Sequence, residues 1–117
     1  MLNISMSNSF MYVIASNIAG PVKLGISIDP DQRVKDLQTG HPEPLQVFYR
    51  ESVSADKLRL FERLLHRDNG HFRLRGEWFT LSVEHAIAYV QFTMIEYDLL
   101  SIEQLHRLLG DRISIHC

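Results

Sequence analysis

Two β-rich runs, a short turn between them and an abrupt helix start constrain this chain more than anything else in it. Residues 11–15 (MYVIA) and 22–28 (VKLGISI) read as strands, and SNIAGP between them carries the turn signals of a hairpin. Asp29-Pro30 follows at once, with Asp as N-cap and Pro at the first helical position. Val34 and Leu37 then face inward, which leaves Arg33 on a neighbouring face one turn into the helix. Gly40 and the HPEP that follows stop the helix. Gly25, in the middle of the second strand, lets a ligand or another side chain come close to the backbone.

Residues 45–50 (LQVFYR) are the third strand candidate. A second helix runs from near Ser54 to about Asp68, with Ala55, Leu58, Phe61 and Leu65 as its apolar face. Glu62 stands at the border of that stripe, and His66 lies one turn further along the same side. Gly70 ends the helix, and FRLRGEWFTLS passes through a short extended segment. A third helix, about 83–99, is expected to bury Ala86, Ile87, Val90, Met94 and Ile95. Ser101 to Gln104 reads as a capping box for a last helix ended by Gly110. The element order is ββαβαα plus a terminal helix, with residues 1–10 as an N-terminal arm, 11–99 as the domain and 100–117 as a C-terminal helical extension.

A chain of 117 residues makes one domain with one core. The formal net charge of −2 is awkward for a nucleic-acid binder, although a local basic face can coexist with an acidic remainder. Cys117 is the only cysteine, which excludes an intrachain disulfide and a multi-cysteine zinc site. The N-terminus lacks a basic signal-peptide region, and no apolar run approaches the roughly 20 residues that span a bilayer. A soluble cytoplasmic protein with no membrane partner is expected.

Tyr12, Lys23, Arg33 and Glu62 belong to a pattern that resembles the GIY-YIG nuclease superfamily. In that family a tyrosine sits in the first strand, a Tyr or Lys precedes a glycine in the second, an arginine lies on the first helix, and a glutamate holds a metal. The matching residues here are Met11-Tyr12-Val13, Lys23-Leu24-Gly25, Arg33 and Glu62. The run KLGISIDPDQRVKDLQTGHP, then ERLLH at 62–66, then GEWF at 76–79, is similar to a small phage- and bacteria-associated branch. That branch includes the meiotically up-regulated gene 113 and phage T5-type domains. Met11 stands where many relatives have glycine, and Asn69, near a helix end, is no convincing match for the family's late asparagine. The fold the resemblance implies is α+β, a small three-stranded antiparallel sheet flanked by helices, here with an extra C-terminal helix.

The activity it implies is metal-dependent endonucleolytic hydrolysis of DNA with one Mg²⁺ or Mn²⁺ ion held by Glu62. Magnesium often takes a single carboxylate and keeps its waters, so one glutamate suffices. Arg33 would clamp the phosphate, Tyr12 would act as or orient the base, and Lys23 would lower the phenol's pKa or bond the nucleophile. His66 would bind phosphate or assist proton transfer. Lys57, Arg59, Arg63 and Arg67 form a modest basic patch that suits a DNA backbone.

Each residue also has an ordinary structural reading. Tyr12 can be packing, Lys23 a solvated edge residue, and Arg33 a surface partner of Asp29 or Asp36. Glu62 can pair with Arg59 or Arg63, and His66 can be a helix C-terminal cation. Trp78 and Phe79 read as core, and Glu77 as an anchor for its segment rather than a metal ligand. No dedicated DNA-reading motif is present, so specificity is expected from a homodimer or a protein partner. The apolar end, Leu99 to Leu109, suits core closure or a dimer face. A catalytically inactive nucleic-acid-binding or scaffold domain with the same fold is the alternative reading.

Overall fold

The computed structural model describes residues 9–112. Strands β1 (Ser9–Ala15) and β2 (Val22–Ser27) form the expected hairpin, with Tyr12 opposite Gly25 and Ile14 opposite Lys23. β1 starts at Ser9, whose hydroxyl donates to the Val53 carbonyl, so part of the expected arm belongs to the sheet. Residues 1–8 of that arm, and 113–117 of the expected extension, lie outside the described residues. Helix α1 (Pro30–Gln38) is capped as its sequence requires: the Asp29 carboxylate accepts from the Gln32 N–H at 3.1 Å. Strand β3 (Gln46–Val53) and helix α2 (Ala55–Asp68) follow.

The sheet has five strands, not the expected three. Its order is β3-β1-β2-β5-β4, and every neighbouring pair is antiparallel. The two additions are β4 (Arg73–Arg75) and β5 (Trp78–Phe79), a tight ribbon turning at Gly76, whose φ of +56° suits glycine. β5 pairs with β2 through Val22–Phe79 and Lys23–Trp78. Strands of two and three residues are too short to show an alternating pattern, which is why the segment read only as extended.

β1 lies inside the sheet between β3 and β2 and is buried on both faces, which explains why MYVIA is a continuous apolar run without alternation. Met11, Val13 and Ala15 join Val22 and Leu24 in the main core beneath α2 and α3. Tyr12 and Ile14 point to the opposite face, where Val34 and Leu37 of α1, with Leu45, Val47 and Trp78, form a second cluster. The catalytic candidates on the sheet therefore stand on the face that α1 covers.

Helix α2 buries Leu58, Phe61 and Leu65 as expected and also Leu60 and Leu64, whereas Ala55 is exposed. Helix α3 (Val83–Tyr97) ends two residues before the expected boundary and buries Val83, Ala86, Val90, Thr93 and Tyr97. Ile95 is 80% exposed, contrary to expectation. At about 100° per residue it lies roughly 140° around the helix from Val90. Helix α4 (Ile102–Leu108) carries the expected Ser101–Gln104 capping box and buries Leu105 completely in the main core. The terminal helix thus closes the core. No helix among the described residues is long and apolar enough to cross a membrane.

Candidate active site

The site is built around the middle of β2. The Tyr12 ring lies across Gly25, its strand partner: a Cβ at position 25 would come within 2.6 Å of Tyr12 Cζ. Glycine is therefore required there, and the phenol's position is set by the backbone beneath it. Burial raises the Tyr12 pKa, and the adjacent Arg33 guanidinium offsets part of that rise. The phenol is consequently protonated at neutral pH. Arg33 reaches it from α1, and burial of Val34 and Leu37 fixes the helix so that this one cation faces the sheet.

Lys23 is nearly buried, and its ammonium is paired away from the phenol. Its ammonium lies 3.1 Å from the Glu77 carboxylate and 5.8 Å from the Trp78 ring centroid. The cation that lowers the Tyr12 pKa is Arg33, not the expected Lys23. Glu77 is held twice on β2, by this ion pair and by its carbonyl, which accepts from the Leu24 N–H at 3.0 Å. It anchors its segment as expected, and its carboxylate also acts on Tyr12, Arg33, Glu62 and His66.

Glu62 comes from α2, half-buried beside Glu77. Burial pushes its pKa up to about 7; the negative charge of Glu77 adds to the rise, and Arg59 opposes it. Two carboxylates that face each other and hold a proton near neutrality form a donor set that suits a divalent cation in the proton's place. No group of three or more His, Cys, Asp or Glu side chains among the described residues is placed to hold a metal ion. An ion here would take at most this pair and complete its shell with water, as magnesium does.

His66 lies one turn beyond Glu62. Its Nε2 is 2.7 Å from the Leu24 carbonyl, so that nitrogen carries the proton, and the ring packs on Phe79 with centroids 5.2 Å apart. Burial lowers its pKa, so the ring is neutral at pH 7 and no helix-terminal cation. Leu24 thus pins both Glu77 and His66 through its two backbone groups. Asn69 is buried, with its amide donating to the Leu65 carbonyl at 2.9 Å, and serves the helix end.

The basic patch is largely engaged in holding helices together. Lys57 donates to the Asp98 carbonyl at 3.1 Å, and Arg63 forms a two-bond pair with Asp111 at 2.7 and 2.8 Å. Arg67 bonds Asp68 and the Leu108 carbonyl. Arg59 is exposed and has no ion-pair partner among the described residues. Arg73 and Arg75 of β4 add exposed charge beside the site. The residues that sequence reasoning undervalued are Glu77 and Trp78; the signal was the GEWF tetrapeptide, where the glycine marks the turn that delivers both to β2.

The T5orf172 domain family model matches residues 9–94. The chain belongs to the T5orf172 domain family. This is a nuclease-associated domain, and nuclease-like or DNA-binding work is the role it indicates. No curated protein and no solved structure matches the chain. The T5orf172 match takes in all five strands, α1, α2 and most of α3, and so every candidate residue from Tyr12 to Trp78. Helix α4 lies beyond it, joined to the domain by Leu105 and by the Arg63–Asp111 pair.

Proposed function

We propose that this T5orf172 domain is a divalent-metal-dependent endonuclease of the GIY-YIG type that hydrolyses DNA phosphodiester bonds. The observation that carries the reading is the Glu62–Glu77 carboxylate pair beside Lys23, Tyr12 and Arg33. A carboxylate pushed up to about 7 by burial and by a second carboxylate is the kind of perturbed pair that active sites assemble. Glu62, with Glu77 next to it, would hold Mg²⁺ or Mn²⁺. When bound, the ion supplies charge stabilisation at the non-bridging and leaving oxygens.

The chain's own groups do the rest. Arg33 presents a planar fork that clamps the scissile phosphate and offsets charge that grows in the transition state. The Tyr12 phenol stays protonated, so it orients: its oxygen accepts from the attacking water while its O–H donates to a phosphate oxygen. Lys23 holds Glu77 in place and keeps a positive charge at the reacting centre. His66, neutral, leaves Nδ1 as an acceptor at the rim.

The test is cleavage of supercoiled plasmid and branched DNA with Mg²⁺ or Mn²⁺, comparing wild type with Glu62→Ala. Metal-requiring cleavage that vanishes in the variant supports the reading. Cleavage that persists in Glu62→Ala refutes the assignment of the site. A second reading, a catalytically inactive scaffold domain that retains the fold, draws on the net charge of −2 and on the internal engagement of Lys57, Arg63 and Arg67. Under it the wild type engages a protein partner with little salt dependence and cuts no DNA substrate. A homodimer or protein partner would supply sequence preference under the nuclease reading.

A further inference from the structure

A cavity beside Trp78 has a chemistry that hydrolysis at Glu62 does not use. Its volume, about 530 Å³, falls among small-molecule sites, and its walls include Ser16, His41, Glu43, Arg75 and Trp78. The floor is aromatic: the His41 and Trp78 rings stack with centroids 5.6 Å apart and planes 24° from parallel. Both rings are only half-buried, so a planar group can extend the stack.

This platform is built in advance of any ligand. His41 Nδ1 is 3.1 Å from the Glu43 carbonyl, and the His41 carbonyl accepts from Gln38 Nε2 at 3.2 Å. The same Gln38 side chain accepts from the Leu45 N–H at 2.7 Å, which fastens the whole connection between α1 and β3. The Glu43 carboxylate accepts from the Ser16 hydroxyl at 3.1 Å. Trp78 is tied to the reacting centre, since it pairs with Lys23 across the sheet and follows Glu77 in the chain.

We propose that this cavity takes an unpaired nucleobase of the DNA next to the scissile phosphate, stacked on the His41–Trp78 pair. The inference rests on the nuclease reading and names a feature of its substrate. A flat π-face matches the floor and accepts any base, while exposed Arg75 at the mouth suits the flanking phosphate. A free anion is a poorer occupant, because the Glu43 carboxylate lines the same wall. DNA with a frayed end, flap or branch offers an unpaired base without the cost of unpairing, so such structures are the preferred substrates.

Trp78 is the only tryptophan, which makes it a reporter at the site itself. The full chain in EDTA, which prevents cleavage, is titrated with a single-stranded oligonucleotide, the same sequence as a blunt duplex, and a strand of equal length made of abasic sites. Anisotropy of labelled DNA reads binding, and tryptophan fluorescence reads stacking. Saturable quenching by the base-bearing strand, with little by the duplex or the abasic strand, is expected. His41→Ala should weaken single-strand binding at least about fivefold. Equal quenching by the abasic strand, or binding without any change in Trp78 emission, overturns the stacking site and leaves the nuclease reading standing. Failure to bind any of the three DNAs overturns both. The abasic comparison needs no variant, so it decides the matter even where His41→Ala unfolds.

Discussion

Glu62→Gln should make the metal-free protein more stable at pH 8 while removing its activity. The folded state pushes the Glu62 pKa from 4.5 up to about 7, first by burial and then through the charge of Glu77. Between those two values the unfolded chain has lost a proton that the folded chain keeps, so stability falls as pH rises through the interval. Above pH 7 the full cost of the half-buried charge is present. Each pKa unit corresponds to about 1.4 kcal/mol, which sets a ceiling of about 3 kcal/mol. Water reaches this half-buried carboxylate and screens it, so about 1–2 kcal/mol is the working figure. Glutamine fills the same space without charge and can bond Glu77, so it recovers that amount at pH 8 and little at pH 4.5. In a domain of this size the gain is on the order of 5–10 °C in melting temperature. The assay is thermal unfolding of both proteins in EDTA from pH 4.5 to 8.5, repeated with Mg²⁺. A variant that melts at or below wild type at pH 8 refutes the argument. Adding Mg²⁺ above pH 7 should raise the wild-type melting temperature and leave the variant's unchanged, since the ion relieves the repulsion that glutamine has already removed.

Three further outcomes follow from the packing and the site. Gly25→Ala forces a methyl to within 2.6 Å of the buried Tyr12 ring and should cost about 1–3 kcal/mol in urea unfolding; a loss below the resolution of that measurement contradicts the fit of Tyr12 over glycine. Arg33→Lys keeps the charge and loses the planar fork, so cleavage should fall at least about tenfold with melting temperature nearly unchanged, and an unaltered rate removes Arg33 from phosphate binding. Leu105→Ala, at a fully buried position of α4, should cost about 2–5 kcal/mol; a loss under about 1 kcal/mol would show that α4 does not close the core.

The parts of the fold that were legible in the residues are those with strong local rules. Asp29-Pro30 fixes the start of α1 through one carboxylate and one ring, and the Ser101–Gln104 box does the same for α4. MYVIA announced a strand, and the structure shows that its unbroken apolar run reflects burial on both faces. What escaped were features set by tertiary pairing. β4 and β5 exist only because β2 offers an edge to Trp78 and Phe79, and five residues in two strands leave no periodic trace. Ile95 looked like core because it is apolar, yet the phase of α3 is set by Val83, Ala86 and Val90. Lys57, Arg63 and Arg67 read as a patch for phosphate, and the end of α3, the end of α4 and Asp111 beyond it take up their hydrogen bonds. Spacing within α2 can count cations and has no means of counting the acceptors that another helix brings.

The same distinction explains why the motif Tyr12, Lys23, Arg33, Glu62 was visible without its fifth member. The resemblance to a nuclease family singled out those four, which stand on β1, β2, α1 and α2. Glu77 stands in a tight turn, and only its backbone bond to Leu24 brings it to the others. Once there, its carboxylate pairs with Lys23 and at the same time raises the pKa of half-buried Glu62, a cost on one side set against a gain on the other. Lys23 compensates only in part, because its ammonium lies on Glu77 while Glu62 keeps its proton to about pH 7. The backbone bond of Glu77 to Leu24 needs no carboxylate, whereas the nearly buried Lys23 ammonium does, and Glu77 supplies it. The side chain thus serves two neighbours, pairing with Lys23 and raising the pKa of Glu62, and under the proposed metal-dependent reading a cation between the two carboxylates would relieve the second of these effects.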